Sequence, residues 1–587
     1  MSPRFRQLLT IDYRTLAAFR IMCGGTMVWW LCVVAPDLGA FYTDAGVIDR
    51  ALLAIHKPSA YPTFLRMFDG YGFALMLWVL GFVGGVMMVI GWRSRLAAVM
   101  CWVACLGLIG RNPLVTQGGD TLITLMAFWA MFLPTGAVFA VDAALRPENR
   151  RGEGVLSIAT VGLLAQTTYV YVFGALLKTS PVWMPTGSAV YVATHLDSFA
   201  TPFAHWFRQF ALPMFALTWF VFWIELLTPA LLMFPDRRLR VRGVSLVLLM
   251  AMHVGFRVFL NIGHFWLASL TSLTAYIPAT WWNALGARYW RGRRYEIWYD
   301  RDCGFCLKMG ALLREFFLPR ETPLRPAQDH PEIGPLLERE TSWVLVDHQG
   351  RRRLHWDAVA YVMRQSPLLA PLGWVATVYG WIGLGLPTYR LIGNSRGTLG
   401  RVTGVLLKPR EPLFRPSLAG KVAAVFAILF SFGWNMRSEI GWAETRALFP
   451  PFVTETGRAL GLTQHWNMFA PAPPPQDGYP VVVGRDAEGI AWDIFQDPPT
   501  QVDLTRPTYM AAVFESHRWR RYANHILWTQ ADTRPLLIEA FATYLCARAA
   551  DRGIVVETAE VIWLTNTTLA GYRSEDGERR EPAITCP

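Results

Sequence analysis

The chain contains few charged residues for its length. Of its 587 residues only 17% are Asp, Glu, Lys or Arg, whereas 53% are hydrophobic, and a soluble domain usually carries about 25% charged residues. This deficit excludes an ordinary soluble protein and predicts a membrane protein. Tryptophan, by contrast, is plentiful at 26 residues, and tryptophan is enriched where a bilayer meets water.

Cysteine is also scarce, with 8 residues in the chain, which excludes a secreted fold held together by disulfides. The glycine-rich motifs of nucleotide and dinucleotide sites are absent. The net charge is +12, but the arginines stand between apolar runs and are expected to set membrane orientation, so we expect no nucleic-acid partner. No cleavable signal peptide is expected, because further apolar runs follow the first one.

Apolar runs long enough to cross a bilayer are frequent before residue 285. Roughly 18 residues are needed to span the hydrocarbon. The sequence predicts eight spanning helices, at about 16–35, 71–91, 95–112, 119–140, 154–178, 211–234, 241–262 and 264–282, and a ninth at 418–437. The expected fold class is therefore mainly α, a polytopic bundle of membrane helices.

Lysines and arginines are concentrated in the links that share a side of the membrane with the N-terminus. The positive-inside rule then places the N-terminus in the cytoplasm. After eight crossings, residues 294–405 would also be cytoplasmic, and after the ninth, residues 440–587 would lie outside. We expect the inner membrane of a bacterial cell as the location and the lipid bilayer as the first partner.

Several ionisable residues fall within the predicted spans or at their ends. Charge at membrane depth costs roughly 2.5–3.5 kcal/mol, so such residues are retained for pairing or for function. For Arg20 and Arg257 we expect a buried ion pair with Glu225 or with a nearby aspartate. Lys178 ends an aromatic, nearly charge-free helix, and it is either a lysine that extends to the interface or a functional amine. His253 lies in the seventh run.

Several segments resemble a known membrane domain. The segments LTIDYRTLAAFRI and GRNPLVTQGGDTLITLMAFWAMFLPTG are similar to the HTTM domain, which is shared with vitamin K-dependent gamma-carboxylases. The segment YVYVFGALLKTSPVWMPTGSAVYVATHL resembles the one that carries the catalytic lysine of the carboxylases, and Lys178 stands at that position. The segment HVGFRVFLNIGHFWLASL resembles a later histidine-containing helix, with His253 matching, and Glu225 falls where the family has an acidic residue. QHWNMFAPAPPPQDGYPVVVGRDAEGIAWDIF resembles the extramembrane module of the family.

The resemblance implies a reaction and a cofactor. In the carboxylases a lysine deprotonates a reduced quinone, which reacts with oxygen; the strong base so formed takes a proton from a glutamate side chain, and carbon dioxide adds. Lys178 would be the base here and His253 its helper. The resemblance also implies an HTTM-like domain over 1–285 and an α+β module over 440–587, at which a peptide or protein substrate would bind.

Two cysteines, Cys303 and Cys306, stand in the stretch RYEIWYDRDCGFCLKMGALLREFF. The pattern predicts a strand, a tight loop and a helix. The first thiol lies at the helix N-terminus, where free N–H groups stabilise a thiolate, and the second is positioned to resolve a mixed disulfide. With Asp300, the stretch resembles the DCC family of thiol-disulfide oxidoreductases, whose signature is Asp-x-x-Cys-x-x-Cys. The resemblance implies a thioredoxin-like α/β domain over 294–405.

Other interpretations of the cysteines stay open. The Cys-x-x-Cys pair could be inert, or it could be half of a zinc site; no second pair is nearby and the neighbouring histidines lack ligand spacing, so we expect no metal. Cys546 and Cys586 would lie in an oxidising space, where a disulfide between them can form, but the sequence gives no distance between them.

Three functions compete on the sequence alone. The leading one is a membrane enzyme that uses Lys178 as a base in quinone-linked chemistry and carries a fused thiol domain. The second is a membrane-anchored thiol-disulfide oxidoreductase without carboxylase activity. The third is a non-enzymatic membrane scaffold or peptide-binding protein.

Overall fold

The computed structural model describes residues 2–56, 68–146, 153–236, 239–408, 417–438, 449–569 and 573–587. The N-terminal part is a bundle of helices with one short antiparallel pair, β1 (Ile11–Asp12) and β2 (Gly154–Val155). Its helices are α1 (Pro3–Leu9), α2 (Tyr13–Val34), α3 (Leu38–Tyr42), α4 (Arg50–His56), α5 (Tyr71–Ile90), α6 (Ser94–Arg111), α7 (Gly118–Ala130), α8 (Val141–Ala144), α9 (Ile158–Leu176), α10 (Ala189–Thr194), α11 (Pro202–Phe207), α12 (Ala211–Leu232), α13 (Arg240–Phe259), α14 (Phe265–Leu273) and α15 (Ala279–Trp290).

Within the described ranges, seven helices are long and apolar enough to cross a membrane. They are Tyr13–Tyr42, which joins α2 to α3 through a 3-10 turn, then α5, α6, α9, α12, α13, and finally Leu418–Arg437. Each overlaps one of the predicted spans. Most of the large side chains that these helices expose are apolar, and the exposed charged residues are few, such as Arg257 on α13 and Lys421 on α22.

Two predicted spans, 119–140 and 264–282, are not single spanning helices. Helix α7 has 13 residues, a length of about 20 Å, and it ends before Pro134, which has no N–H to continue the ladder. Helix α14 ends at Leu273, and a 3-10 turn and Pro278 separate it from α15. The prediction was wrong at these two runs because hydropathy counts apolar residues and does not locate helix ends.

The chain nevertheless passes from one end of the bundle to the other in both segments. Gln117, before α7, contacts His264, before α14, with 2.8 Å between side-chain nitrogens. At the far end of the first segment, Asp142 accepts a hydrogen bond from the first residue of α6 (2.9 Å). At the far end of the second, the Thr15 hydroxyl donates to the carbonyl of Ile277 (2.9 Å). The alternation of the chain between the two ends is therefore kept.

The middle of the chain is an α/β unit with a four-stranded sheet. The strand order is β4-β3-β5-β6, in which β3 and β4 are parallel and the other neighbours antiparallel. Ile297 and Trp298, adjacent on β3, belong to separate apolar clusters on the two faces of the sheet. The elements are β3 (Glu296–Tyr299), α16 (Gly304–Phe317), β4 (Leu324–Pro326), α17 (Ile333–Glu340), β5 (Val344–Val346), β6 (Arg352–Arg353), α18 (His355–Arg364), α19 (Ala370–Trp381), α20 (Gly385–Asn394) and α21 (Arg396–Leu406).

This α/β unit contacts the end of the bundle at which α2 begins, called here the N-terminal end. The carboxylate of Glu315 on α16 accepts a hydrogen bond from the backbone N–H of Phe139 (2.6 Å). The ring of Phe316 packs edge-on against that of Phe139, with 5.2 Å between centroids. Arg20, about two turns from the start of α2, also donates a hydrogen bond to the carbonyl of Phe139 (2.6 Å).

The C-terminal part follows a further long helix and is an α+β module. Its six strands form an antiparallel sheet of order β11-β10-β7-β8-β9, with β12 paired to β10. The elements are α22 (Leu418–Ser438), α23 (Pro451–Ala459), β7 (Gln476–Arg485), β8 (Ala491–Asp493), β9 (Thr500–Gln501), α24 (Met510–Val513), α25 (His517–Trp528), α26 (Arg534–Asp551), β10 (Thr558–Leu569), β11 (Arg573–Arg580) and β12 (Ile584–Thr585).

The C-terminal module contacts the opposite end of the bundle. Arg518 on α25 donates to the hydroxyl of Tyr42 (2.9 Å) and lies 3.5 Å from the carboxylate of Asp37. Tyr42 is the last residue of the first span, whereas Phe139 marks the N-terminal end. The α/β unit and the C-terminal module therefore lie at opposite ends of the bundle.

Candidate active site

Lys178 lies just beyond the end of α9, and its side chain turns back into the bundle. Its Nζ donates to the carbonyl of Gly174 (3.0 Å) and to Oε2 of Glu225 on α12 (2.5 Å). Only 5% of the Lys178 side chain and 10% of the Glu225 side chain is exposed. The amine does not extend to an exposed interface; it forms a buried ion pair between two spanning helices.

A tryptophan faces the same amine. Nζ of Lys178 is 4.9 Å from the ring centroid of Trp183, a distance at which the π-face attracts a cation. The indole N–H of Trp183 donates to the carbonyl of Phe469 in the C-terminal module (3.0 Å). The backbone of that module thus fixes the ring against the amine.

His253, on α13, is buried close to this pair. Its Nε2 is 2.9 Å from the hydroxyl of Tyr171, and among the described residues its Nδ1 has no hydrogen-bond partner. Tyr171, Gly174 and Lys178 follow one another at spacings of three and four, which places them on one face of α9. The tyrosine was not predicted, although its spacing from Lys178 is visible in the sequence.

One cavity connects these groups. It has a volume of about 190 Å³ and is lined by residues of α9, α10, α12, α13 and α14 and by the segment 466–469. The charged side chains that line it are those of Lys178 and Glu225, and most of the remaining wall is aliphatic or aromatic. Its hydrogen-bonding side chains are those of Tyr171, His253, Thr194, Trp183 and Trp466. The structure thus brings together Lys178, Glu225 and His253, which the sequence had marked on three separate runs.

The C-terminal module closes one side of the cavity. Trp466 lines it together with Met468 and Phe469. The indole N–H of Trp466 donates to the side chain of Gln464 (2.7 Å), which in turn bonds to Gln166 on α9 (2.7 Å). A segment that the sequence assigned to an extramembrane module therefore contributes to the wall of a site inside the bundle.

The expected ion pairs of Arg20 and Arg257 with Glu225 are not formed. Arg20 is fully buried at the N-terminal end, where it donates to the carbonyl of Phe139, and Arg257 is exposed on α13. Glu225 is paired with Lys178 instead. The charges that act on Arg20 include those of Asp142 and Glu315, so the predicted alternative of a nearby aspartate is not contradicted for Arg20. The pairing with Glu225 was wrong because hydropathy places charges along the chain and does not show which helix faces meet.

A second polar cluster lies where the bundle meets the C-terminal module, and the sequence had not indicated it. Nδ1 of His264 is 2.8 Å from the amide nitrogen of Gln117, and Nε2 of His264 is 3.5 Å from the carboxylate of Asp120. The ring of His517 on α25 is 6.5 Å away. Burial, reinforced by neighbouring arginines, holds the pKa of His517 well below its ordinary value, so this imidazole is neutral.

The thiol pair lies at the opposite end from Lys178. Cys303 is the N-cap of α16, and its Sγ accepts a hydrogen bond from the N–H of Cys306 (3.2 Å). The two cysteines form a disulfide with Cα atoms 5.2 Å apart. Cys306 also lines an apolar cavity of about 290 Å³, to which Trp343 and Tyr389 contribute. The two predicted sites are therefore separate.

Two further cysteines are joined in the C-terminal module. Cys546, buried on α26, forms a disulfide with Cys586 near the C-terminus, with Cα atoms 5.9 Å apart. The backbone N–H of Cys586 donates to the carbonyl of Glu557 (2.8 Å), which holds the end of the chain beside the sheet. The sequence had left open whether Cys546 and Cys586 form a disulfide, and the structure joins them.

The seven apolar helices define a membrane protein. Comparison with known proteins adds the kind of domain they build: the model of the HTTM domain matches residues 9–281, and an HTTM domain therefore occupies the part of the chain that holds Lys178, Glu225 and His253. HTTM domains are linked to carboxylase-like membrane proteins. No curated protein and no solved structure matches the chain.

Proposed function

We propose that the protein is a membrane enzyme in which Lys178 removes a proton from a substrate held in the cavity between α9, α12 and α13. One arrangement carries the proposal: the amine of Lys178, the carboxylate of Glu225 and the imidazole of His253, from three spanning helices, line the same apolar cavity. An ionisable group inside a bundle of membrane helices costs free energy, and such groups are retained chiefly for pairing or function. The HTTM match over this region supports the same assignment.

The ion pair offers a way to form the neutral amine that acts as the base. Lys178 and Glu225 are 2.5 Å apart, so a proton can pass from the ammonium to the carboxylate, leaving the neutral amine that a base requires. When the amine takes a proton from substrate, the ring of Trp183 stabilises the ammonium that forms.

A reduced quinone suits this cavity as the cofactor. The aliphatic and aromatic walls match its ring, Lys178 can receive a hydroxyl proton, and Nδ1 of His253, unpartnered among the described residues, is available to a second oxygen. When bound, it would supply two electrons and an acidic ring hydroxyl. We further propose that a peptide or protein substrate docks on the C-terminal module, since Trp466 and Phe469 of that module line the cavity.

The test compares Lys178→Arg with Lys421→Arg, an exposed lysine on α22. Arginine keeps the charge but cannot give up its proton in practice. Purified protein in lipid nanodiscs is supplied with reduced menaquinone or ubiquinone, and oxygen uptake is followed. We expect Lys178→Arg to lower the rate by about two orders of magnitude or more, the scale of a positioned proton acceptor, and Lys421→Arg to leave it unchanged.

Extraction of the purified protein provides a second measurement. Quinone should be recovered from the wild-type protein in more than the amount carried by an unrelated membrane protein prepared in the same way. Oxygen uptake by Lys178→Arg at the wild-type rate, in folded protein, would remove the lysine-base mechanism whatever quinone is recovered.

We propose a thiol-disulfide oxidoreductase activity for the α/β unit, and this is the second candidate function. It is supported by the strand–loop–helix around Cys303, by the position of that cysteine at the N-cap of α16, and by a sheet whose first two strands are parallel and whose last two are antiparallel, as in thioredoxin-like domains. The apolar cavity beside Cys306 offers space for a substrate.

Two variants distinguish the two proposed activities. Cys303→Ser should abolish reduction of a small disulfide substrate and leave the quinone-linked oxygen uptake of the membrane domain intact in the presence of an external reductant. Lys178→Arg should show the reverse pattern. Loss of both activities in the Cys303→Ser variant, with fold retained, would indicate that the thiols take part in the membrane-domain reaction itself.

A further inference from the structure

Helices α19, α20 and α21 present an apolar face that no described residue covers. Trp381 is 76% exposed, Leu391 68%, Val375 67% and Val405 67%. These fractions lie in the range of the apolar side chains that the spanning helices expose, such as Val79 at 45% and Leu212 at 79%. Soluble domains rarely expose a contiguous apolar surface of this kind, and where it occurs it marks an interaction site.

Helix α19 has no charged residue and separates its side chains by size. The exposed side chains of Leu372, Val375 and Val378 recur every three residues on one face, whereas Gly373 and Ala376 are buried on the other. The buried face packs on α18, so the helix is anchored to the α/β unit by its small residues and directs its large ones away. A face of large apolar side chains without charge is suited to burial against a partner.

The charge of this part of the chain indicates which partner covers the apolar face. Between Asp357 and Glu411 the sequence has no acidic residue, while it has Arg364, Arg390, Arg396, Arg401, Lys408 and Arg410. The exposed ones described by the structure, such as Arg390 and Arg401, belong to the same three helices as the apolar face. A surface with large apolar side chains and only positive charge matches a bilayer with anionic headgroups, to which each basic residue contributes about 1 kcal/mol.

The position of α19, α20 and α21 in the fold agrees with a bilayer as the partner. Helix α15, which leaves the bundle, has no buried residue and exposes Trp281 and Tyr289. Its last residue, Trp290, donates from the indole to the carbonyl of Gln365, just before α19 (2.9 Å). After α21, only eleven residues separate Leu406 from the spanning helix α22, at most about 40 Å of extended chain. Both ends of the apolar face are thus tied to helices that meet the membrane.

We propose that α19, α20 and α21 form a docking platform that lies in the headgroup region of an anionic bilayer at the N-terminal end of the bundle. The platform holds the α/β unit against the membrane. Because the cavity beside Cys306 is also lined by Ile392 and Gly393 of α20 and by Arg396 of α21, docking brings that cavity to the level at which lipid-dissolved molecules can reach it.

The test places a fluorescent label on the platform. In a Cys32→Ser background, which removes the exposed free cysteine, Trp381→Cys and Val405→Cys are each labelled with bimane, and Gln349→Cys, on an exposed turn of the same unit, is the matched control. The full chain is reconstituted, one copy per nanodisc, in phosphatidylcholine and phosphatidylglycerol at three to one. Lipids brominated near the carbonyl end of the chain are the quencher.

We expect the bimane at 381 and 405 to lose at least half of its emission in brominated nanodiscs, and the bimane at 349 to be unaffected. Replacing phosphatidylglycerol by phosphatidylcholine should reduce the quenching at 381. Equal, weak quenching at all three positions would overturn the proposal. So would protection of position 381 from aqueous iodide without quenching by brominated lipid, since this would indicate that protein covers the face instead.

Discussion

The contact between Lys178 and Glu225 joins two charged groups that are almost completely buried. Removal of one member of such a pair leaves an uncompensated charge or polar group and typically costs about 3–5 kcal/mol, whereas replacement of both by apolar groups is often neutral. A double-mutant cycle with Lys178→Met and Glu225→Leu should therefore show each single variant unfolding at a lower temperature than the wild type, and the double variant recovering most of the loss.

The measurement is the midpoint of thermal unfolding in detergent, followed by intrinsic fluorescence. Arg552 and Asp497, whose side chains are 2.8 Å apart and 55% and 22% exposed, provide a comparison pair for which the coupling should be smaller. Additive effects of Lys178→Met and Glu225→Leu would mean that the two side chains do not act as a unit. The catalytic rate should be absent in every variant that lacks the lysine, including the stable double variant.

Asp477, at the start of β7, provides a pH-dependent contribution to stability. Burial raises the pKa of Asp477 to about 6 from an ordinary value of 3.8, although its carboxylate accepts the N–H of Ser198 (2.7 Å). The folded state therefore holds this proton more tightly than the unfolded state. The stabilisation is full below about pH 4 and is lost as the pH rises through 6, a total of about 3 kcal/mol.

Asp477→Asn should remove that dependence, because an amide does not titrate. We expect the unfolding temperature of the variant to rise relative to the wild type between pH 5 and pH 7.5, and Asp532→Asn, at an exposed position, to leave the wild-type profile unchanged. A difference between Asp477→Asn and the wild type that is the same at both pH values would show that Asp477 does not titrate in this range.

Individual site residues were predictable from the sequence where a motif or a charge in an apolar run marked them. Lys178, Glu225 and His253 were found in this way, and they line one cavity. Their partners were not predictable: Tyr171 and Trp183 are ordinary residues of an apolar segment until the packing brings them to the site. The assignment of Glu225 to an arginine failed for the same reason, since pairing depends on which helix faces meet.

The N-terminus of helix α16 affects the reactivity of the thiol pair. Cys303 stands at the N-cap, so its sulfur faces the free N–H groups of the first turn and already accepts one from Cys306. This position stabilises a thiolate at Cys303 more than at Cys306. After reduction, brief alkylation near neutral pH should therefore label Cys303 several-fold faster than Cys306, as measured by mass spectrometry of the peptides.

Two variants control this experiment. Cys32→Ser removes the exposed free cysteine, and Cys303→Ser leaves Cys306 alone, which should then react at the rate of an ordinary thiol. Equal rates for the two cysteines of the wild type, both typical of an unperturbed thiol, would identify the pair as chemically inert and would leave only a structural role for the disulfide.

The helices themselves were predictable to different degrees. The seven long spans were found because about 18 apolar residues in a row have few alternatives to crossing a bilayer. Helices α7 and α14 were overextended, since proline and a 3-10 turn end them inside apolar runs. The strand, loop and helix around Cys303 were predicted from the sequence, whereas β4, with 3 residues, and α17, with 8, were too short to be recognised.

In the whole molecule the two candidate sites are held apart by the bundle. The cavity of Lys178 meets the C-terminal module, and Cys303 belongs to the unit that contacts Phe139 at the N-terminal end. Under the proposed functions, coupling of the two chemistries would use a carrier that moves within the bilayer, such as a quinone.

The same separation makes the orientation of the protein testable. The positive-inside rule predicts a cytoplasmic N-terminus and α/β unit. The contacts at opposite ends of the bundle, from Glu315 and from Arg518, predict that the C-terminal module lies across the membrane from that unit. Reporter fusions after residues 240 and 350 should be active in the cytoplasm, and a fusion after residue 500 outside. The disulfide of Cys546 and Cys586 would then form in an oxidising space. Exchanged signals at 350 and 500 would reverse the orientation and with it the supply of reductant to Cys303, whereas the same compartment for both would contradict the architecture.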